Sequence, residues 1–223
     1  MHFYSLDFIK EMPKSDLHLH LDGSLRLDSL IEMAAKAGVK LPSQTVEGLK
    51  ELVFKDSYQN LGEYLHCFQY TCAVLRDMEN LERAAYELAI DNQLEGVNYI
   101  EVRFAPQLLI DLPTGIDFDR VMHAVNNGLK RAQNEYNSQT SILNGDKPPF
   151  AYGIINCAMR MFGDKGFSPY YTNLFQLMRD FSPIEVIKLA AMELVRASVR
   201  LRDEAGIPIV ALDLAGQESG YPA

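Results

Sequence analysis

The segment NLERAAYELAIDNQLEGVNYIEVRFAP, Asn80 to Pro106, decides the fold. Its first part reads as a helix that ends at Gly96. Its second part, Val97 to Phe104, is rich in β-branched and aromatic residues and is closed by Pro106, so it reads as a strand. The rest of the chain repeats this alternation. Upstream, Lys14 to Leu21 alternates apolar and polar residues between Pro13 and Gly23 and predicts a first strand. Arg26 to Gly38 carries Leu27, Leu30, Ile31, Ala34 and Ala35 at helical spacing, with Gly38 as its C-cap. Pro42 to Lys55 reads as a short helix with loops, and Leu61 to Asp77 as one helix with a very apolar face.

Downstream, the pattern predicts a long helix near Asp117 to Tyr136, then a polar, turn-rich loop from Asn137 to Pro149. Phe150 to Arg160 is a third strand. Pro183 to Gly206 is a helix with proline in its first turn and glycine at its end. Ile207 to Gly216 is a fourth strand. Strands alternating with helices predict an α/β fold with a parallel sheet. The interval between the first two strands holds several helices, more than a bare crossover needs. No repeat, low-complexity tract or linker divides the chain.

The 223 residues, 48% of them hydrophobic, suffice for a sizeable core. A net charge of −9 without basic runs argues against nucleic acid or an anionic membrane as partner. No stretch approaches the roughly 20 apolar residues that span a bilayer, and the N-terminus has no signal-peptide core. Three cysteines, Cys67, Cys72 and Cys157, make no paired framework and read as buried thiols of a reducing compartment. The expectation is a cytoplasmic protein.

Polar residues gather at strand ends. His18, His20 and Asp22 in DLHLHLDG are spaced by two, which predicts one face for them and the other for Leu17, Leu19 and Leu21. Two imidazoles on a buried parallel strand need hydrogen bonds or a metal. Spacing leaves both readings open. As a metal site the pair would supply two nitrogen ligands and leave the rest to other strands. Active sites of parallel α/β folds sit at the carboxyl ends of strands. There the fourth strand brings Asp213, Gly216 and Glu218, and a glycine allows close backbone approach. Glu101 and Arg103, spaced by two on the second strand, read as members of structural ion pairs across neighbouring strands, and Arg160 likewise. His2, His66 and His123 read as structural or surface residues. Leu61, Tyr64, Leu65 and Phe68 fall on one side of their helix, a core pattern by periodicity alone. The phosphate-loop, Gly-x-Ser-x-Gly, His-Glu-x-x-His and His-x-Glu…Pro-Cys-x-x-Cys signatures are all missing.

Five motifs together carry a resemblance. MPKSDLHLHLDGSLR (12–26), YLHCFQYTCAVLRD (64–77), VNYIEVRFAPQ (97–107), INCAMR (155–160) and IVALDLAGQE (209–218) resemble, in order and spacing, those of the adenosine deaminase family. The resemblance implies a (β/α)8 TIM barrel, of which this chain covers about the first four β/α units, with extra helices after strand 1. It implies that residues 1–223 are the N-terminal part of a single barrel domain. It further implies Zn2+ as cofactor, His18 and His20 as its ligands, and a purine nucleoside as substrate. By the same resemblance, His20 and Asp22 meet the substrate, Asp22 at the ribose, and Gly216 offers a backbone contact to the purine. Leu61, Leu65 and Phe68 form the apolar wall, with Tyr64 on the same surface. Arg103 and Arg160 match family arginines to which a structural role is given.

The family pattern continues past Ala223. A His-Ala-Gly-Glu motif with a further ligand and the proton-donating glutamate, an orienting histidine and an Asp-Asp pair do not occur in this chain. No catalytic acid or base is therefore assigned within it, and Glu218 belongs to a different motif. The complementing half of the barrel is expected from the same gene product or a second chain, and the 223 residues alone are expected to be inactive. The implied activity is deamination of adenosine and 2′-deoxyadenosine. Two alternatives stand beside it: deamination of adenine or another aminopurine, and a non-catalytic nucleoside-binding protein.

Overall fold

A computed structural model describes residues 3–160, 162, 168–218 and 220. Four parallel strands lie in the order in which they occur: β1 (Lys14–His20), β2 (Val97–Phe104), β3 (Ala151–Met159) and β4 (Ile209–Ala215). Between β1 and β2 run α2 (Leu27–Ala37), α3 (Val46–Leu52), α4 (Leu61–Leu65), α5 (Phe68–Leu75) and α6 (Met78–Leu94), after a short α1 (Leu6–Glu11) that precedes the sheet. Between β2 and β3 run α7 (Phe118–Asn137) and α8 (Thr140–Leu143), and between β3 and β4 run α9 (Pro169–Leu177) and α10 (Pro183–Ala205). The predicted β2 matches the observed strand residue for residue. The other strands and the long helices differ from their predicted bounds by one or two residues at an end, where caps decide.

The caps explain why these segments are helical. Asp77 accepts from the Asn80 N–H at the start of α6, and Asp117 from the Arg120 N–H at the start of α7. Ser182 and Glu185 form a reciprocal capping box on α10. Gly38 ends α2 at φ +67° and Gly206 ends α10 at φ +66°, the left-handed conformation that glycine adopts without penalty.

Alternation along β2 separates two environments. Ile100, Val102 and Phe104 are fully buried beneath the helices, whereas Tyr99, Glu101 and Arg103 on the other face are half-buried. Asn156 of β3 lies on the helix side, donating to the Ser198 hydroxyl of α10 at 2.8 Å. The helix side is the core. The opposite side is concave and partly open. Along β4, Val210, Leu212 and Leu214 are 50%, 47% and 41% exposed, and β1 at the other edge has no buried residue, so both edge strands lack the cover that β2 and β3 have.

Four expectations need correction. The segment from Leu61 to Asp77 is two helices. The chain breaks at His66 and Cys67, where the buried Cys67 thiol donates to the Val53 carbonyl at 3.2 Å and Asp77 leaves to cap α6. Residues 137–149 are not wholly loop, since Thr140–Leu143 make one helical turn. Two helices, α1 and α9, went unpredicted. Finally, Leu17 does not share a face with Leu19 and Leu21. Asp16 pairs with Ile100 and Leu19 with Val102, so three steps along β1 span two along β2. The bulge gives Leu17 and His18 together the place opposite Glu101. Leu21 is buried, but Leu17 is 53% exposed.

Candidate active site

Because the strands are parallel, their carboxyl ends meet at one rim of the sheet. A cavity of about 480 Å³ opens there, within the range of small-molecule sites. His18, His20 and Asp22 reach it from β1 and the turn after it. Leu61, Tyr64 and Leu65 reach it from α4, and Phe68 from α5. Arg103, Cys157, Asp213 and Gly216 line it from β2, β3, β4 and the turn after β4. Every residue singled out from the sequence as ligand or substrate contact therefore lines the same cavity.

Geometry sharpens each position. The His18 and His20 rings are 5.3 Å apart between centroids and inclined by 43°. His18 is exposed and His20 half-buried. His20 Nδ1 lies 3.8 Å from Asp22 Oδ1, and that carboxylate oxygen is buried with no hydrogen-bond partner. A buried, unpaired carboxylate oxygen at a cavity wall is costly unless a ligand completes it. Tyr64 stands edge-on to Phe68 at 5.4 Å, forming an aromatic corner against Asp22. Burial and the nearby Asp22 charge hold the Tyr64 phenol above its ordinary pKa, so it stays protonated. Gly216 has φ +101°, and a Cβ there would come 3.3 Å from Met159 Cε. With no side chain, Gly216 lines the cavity by its backbone alone.

The arginines are paired. Arg103 Nη1 donates to Asp213 Oδ2 at 2.8 Å, reaching across β3, and Arg160 Nη2 to Glu218 Oε1 at 3.3 Å. Glu101 has no part in the Arg103 pair; it accepts from the Tyr99 hydroxyl at 3.0 Å. His66 and His123 are exposed and do not line the cavity, and His2 lies outside the described residues. Sequence reasoning passed over Phe104, Leu108, Met159 and Phe162, which also line the cavity. Position at the carboxyl end of a strand was the available signal for Phe104 and Met159.

The two imidazoles fit a zinc ion. With Zn–N of about 2.0–2.1 Å and tetrahedral angles, two ligating rings stand about 5 Å apart, close to the separation observed. Among the described residues no group of three or more His, Cys, Asp or Glu is placed to hold a metal. The pair therefore fits as two ligands of a set that needs more.

The fold recurs in solved structures. The N6-mAMP deaminase MAPDA from Arabidopsis superposes with a TM-score of 0.64 at 23% identity, over 97% of this chain and 53% of that one. An amidohydrolase from Burkhoderia ambifaria with bound Zn gives 0.65 at 16%, over 97% and 47%. At such identities the likeness is one of fold: the sheet and its helices are part of a (β/α) TIM barrel. An adenosine deaminase from Clostridium botulinum is 32% identical over 194 residues, 81% of this chain and 55% of its own length. The match covers 17% of the length of a probable adenosine deaminase from Dictyostelium discoideum, so the chain spans little more than half, or less, of these curated relatives. The sequence profile of adenosine deaminase matches residues 13–223, nearly the whole chain, and the chain belongs to the adenosine deaminase family.

Proposed function

We propose that this chain supplies the substrate-binding half of a zinc-dependent enzyme that hydrolytically deaminates adenosine and 2′-deoxyadenosine in cytoplasmic purine salvage. One observation carries the reading: the His18–His20 pair and the unpartnered Asp22 oxygen share one cavity. His18 and His20 would hold the ion. Zinc, when bound, lowers the pKa of a water and so supplies a nucleophile for purine C6 near neutral pH. The chain's own residues do the positioning. Asp22 Oδ1 accepts a hydrogen bond from a ribose hydroxyl, which satisfies the buried carboxylate. The backbone at Gly216 lies along the purine edge. Leu61, Leu65 and Phe68 cover the base and exclude water.

The proton donor and the remaining ligands belong to the complementing half, which would also cover the open β4 edge. A ribose-bearing substrate is favoured over free adenine, because adenine has no hydroxyl for Asp22. The test is a side-by-side assay of adenosine and adenine with zinc, using this chain alone and with its complementing half. The expected outcome is no turnover by the chain alone and adenosine turnover by the complete barrel, lost in His20→Ala. Faster turnover of adenine than adenosine would overturn the substrate reading. A complete barrel that binds adenosine without turnover would leave a nucleoside-binding protein.

A further inference from the structure

The β1 bulge falls at Leu17 and His18 and so takes in the first of the two imidazoles, and a bulge has to be held. An extra residue in one strand leaves backbone groups outside the ladder. Here they are taken up by side chains. The His18 N–H donates to Asp16 Oδ1 at 3.0 Å. The Leu17 carbonyl accepts from Arg103 Nη2 at 3.0 Å. Arg103 is the register partner of His20 in β2, and its own carbonyl accepts from the Leu21 N–H at 3.0 Å. The same residue thus grips β1 on both sides of the histidine pair, by its side chain before and by its backbone after.

The guanidinium is itself fixed. Its Nη1 donates to Asp213 Oδ2 at 2.8 Å, and Asp213 Oδ1 accepts from the Leu214 N–H at 2.8 Å. The Arg103 side chain is 11% exposed. One side chain therefore ties β1 to β4 across the concave face. Its planar fork matches the two acceptors, a carboxylate and a carbonyl, which a lysine cannot reach together. This arrangement does more than neutralise two charges. The bulge sets which way His18 points, because it places His18 opposite Glu101 on the concave side.

We propose that Arg103, braced by Asp213, is a positioning residue for the metal-binding imidazoles: it pins the bulge that aims His18 and His20 at one point. The proposal rests on the reading of His18 and His20 as ligands. Supporting groups behind metal ligands typically carry 10–100-fold in metal affinity.

The test titrates cobalt(II) as a visible-absorbing probe, with zinc competition, into the complete barrel well below its unfolding midpoint. A metal-free readout accompanies it: the nuclear Overhauser contact between the His18 and His20 rings. Variants are His20→Ala, Arg103→Met, Arg103→Lys and Asp213→Asn. We expect His20→Ala to lose the cobalt signal. Arg103→Met should weaken affinity about 10–100-fold and lose the ring-to-ring contact, and Arg103→Lys should recover only part of both. Asp213→Asn, which keeps the shape of the brace, should lose less than Arg103→Met. Should Arg103→Met fail to fold, Asp213→Asn and Arg103→Lys decide by the same two readouts. A purely structural ion pair would lower the melting midpoint and leave affinity and ring contact at wild-type values, and that overturns the proposal. A wild-type barrel that binds no cobalt, or binds it equally as His20→Ala, instead overturns the ligand reading, and this proposal with it.

Discussion

Asp22 Oδ1 stands 3.8 Å from Nδ1 of His20, buried and without a hydrogen-bond partner. The fold carries this unfavourable contact at the cavity wall. Relieving it should separate stability from binding. Asp22→Asn removes the buried charge while keeping the shape. At pH 8 the variant should gain about 1 kcal/mol, a rise of about 2–4 °C in melting midpoint for a chain of this size. Adenosine affinity of the complete barrel should fall about 10–100-fold, the worth of a charge-assisted hydrogen bond. Thermal melts and calorimetric titration read the two quantities. A lower midpoint would mean that Asp22 serves the fold.

Gln107 is the opposite case, a fully satisfied polar group in the core. It has no exposed surface. Its amide nitrogen shares two hydrogens among the Ala190 carbonyl at 2.8 Å, Glu193 Oε2 at 2.8 Å and the Tyr170 hydroxyl at 3.0 Å. Its side-chain oxygen accepts from the Tyr171 hydroxyl at 2.9 Å. Tyr171 in turn stacks on Phe162 of the cavity wall at 4.4 Å. One amide thus joins the turn after β2 to α9 and α10. Gln107→Leu removes the acceptor of the buried Tyr171 hydroxyl, at about 1–3 kcal/mol, while the Ala190 carbonyl stays within the backbone ladder of α10. Urea unfolding should show a loss of about 1–3 kcal/mol with an unchanged slope.

These two residues mark what the sequence makes legible. Strand β2 can be read residue for residue because Gly96 and Pro106 bracket a β-branched, aromatic run, all of it local. The histidine pair and the glycine turn after it are local too, as are the starts of α7 and α10. The break between α4 and α5 is not, since the apolar pattern runs through it. It depends on the Cys67 thiol meeting the Val53 carbonyl. The β1 bulge is equally hidden, because it is held from Arg103, 86 positions away. Helix α9 did have a signal, Ser168 followed by Pro169, and the structure uses Ser168 as its N-cap. The cavity wall on α4 and α5 follows from resemblance alone, since periodicity cannot tell a core face from a pocket face.

Two glycines predict contrasting costs. At Gly128 in α7, a Cβ would lie 2.2 Å from the Glu82 carbonyl oxygen and 2.9 Å from the Tyr86 nitrogen, both backbone atoms of α6. Neither can yield without parting the helices. Gly128→Ala gains about 1 kcal/mol of helix propensity and still should destabilise the protein by about 2 kcal/mol or more through overpacking. At Gly38, φ is +67° and nothing lies within 4 Å of an added Cβ. Gly38→Ala should cost only the left-handed backbone penalty, about 1–2 kcal/mol. Gly38→Asn should recover part of it, because asparagine tolerates that conformation. Denaturation midpoints of the three variants check the order; a stabilised Gly128→Ala would refute the close crossing of α6 and α7.

The Cys157 thiol lines the cavity but should be unreactive. Burial first, then the Asp213 and Asp22 charges, push its pKa up to about 12. Thiol reagents attack the thiolate, so iodoacetamide should leave Cys157 unlabelled at pH 7.5, with a rate rising about tenfold per pH unit in alkali. The same shift has a stability consequence. The unfolded thiol ionises near pH 8.5, whereas the folded one keeps its proton to about 12. Between these values the native state binds more protons than the unfolded state. The contribution is therefore complete below about pH 8.5 and declines as pH rises toward the folded value. Burial shifts Cys72 in the same direction. Unfolding free energies at pH 7.5, 9 and 10.5 should fall less steeply in Cys157→Ala than in wild type, even though the variant starts lower for its lost packing. Equal slopes would show that Cys157 ionises in the native state as freely as in the unfolded chain.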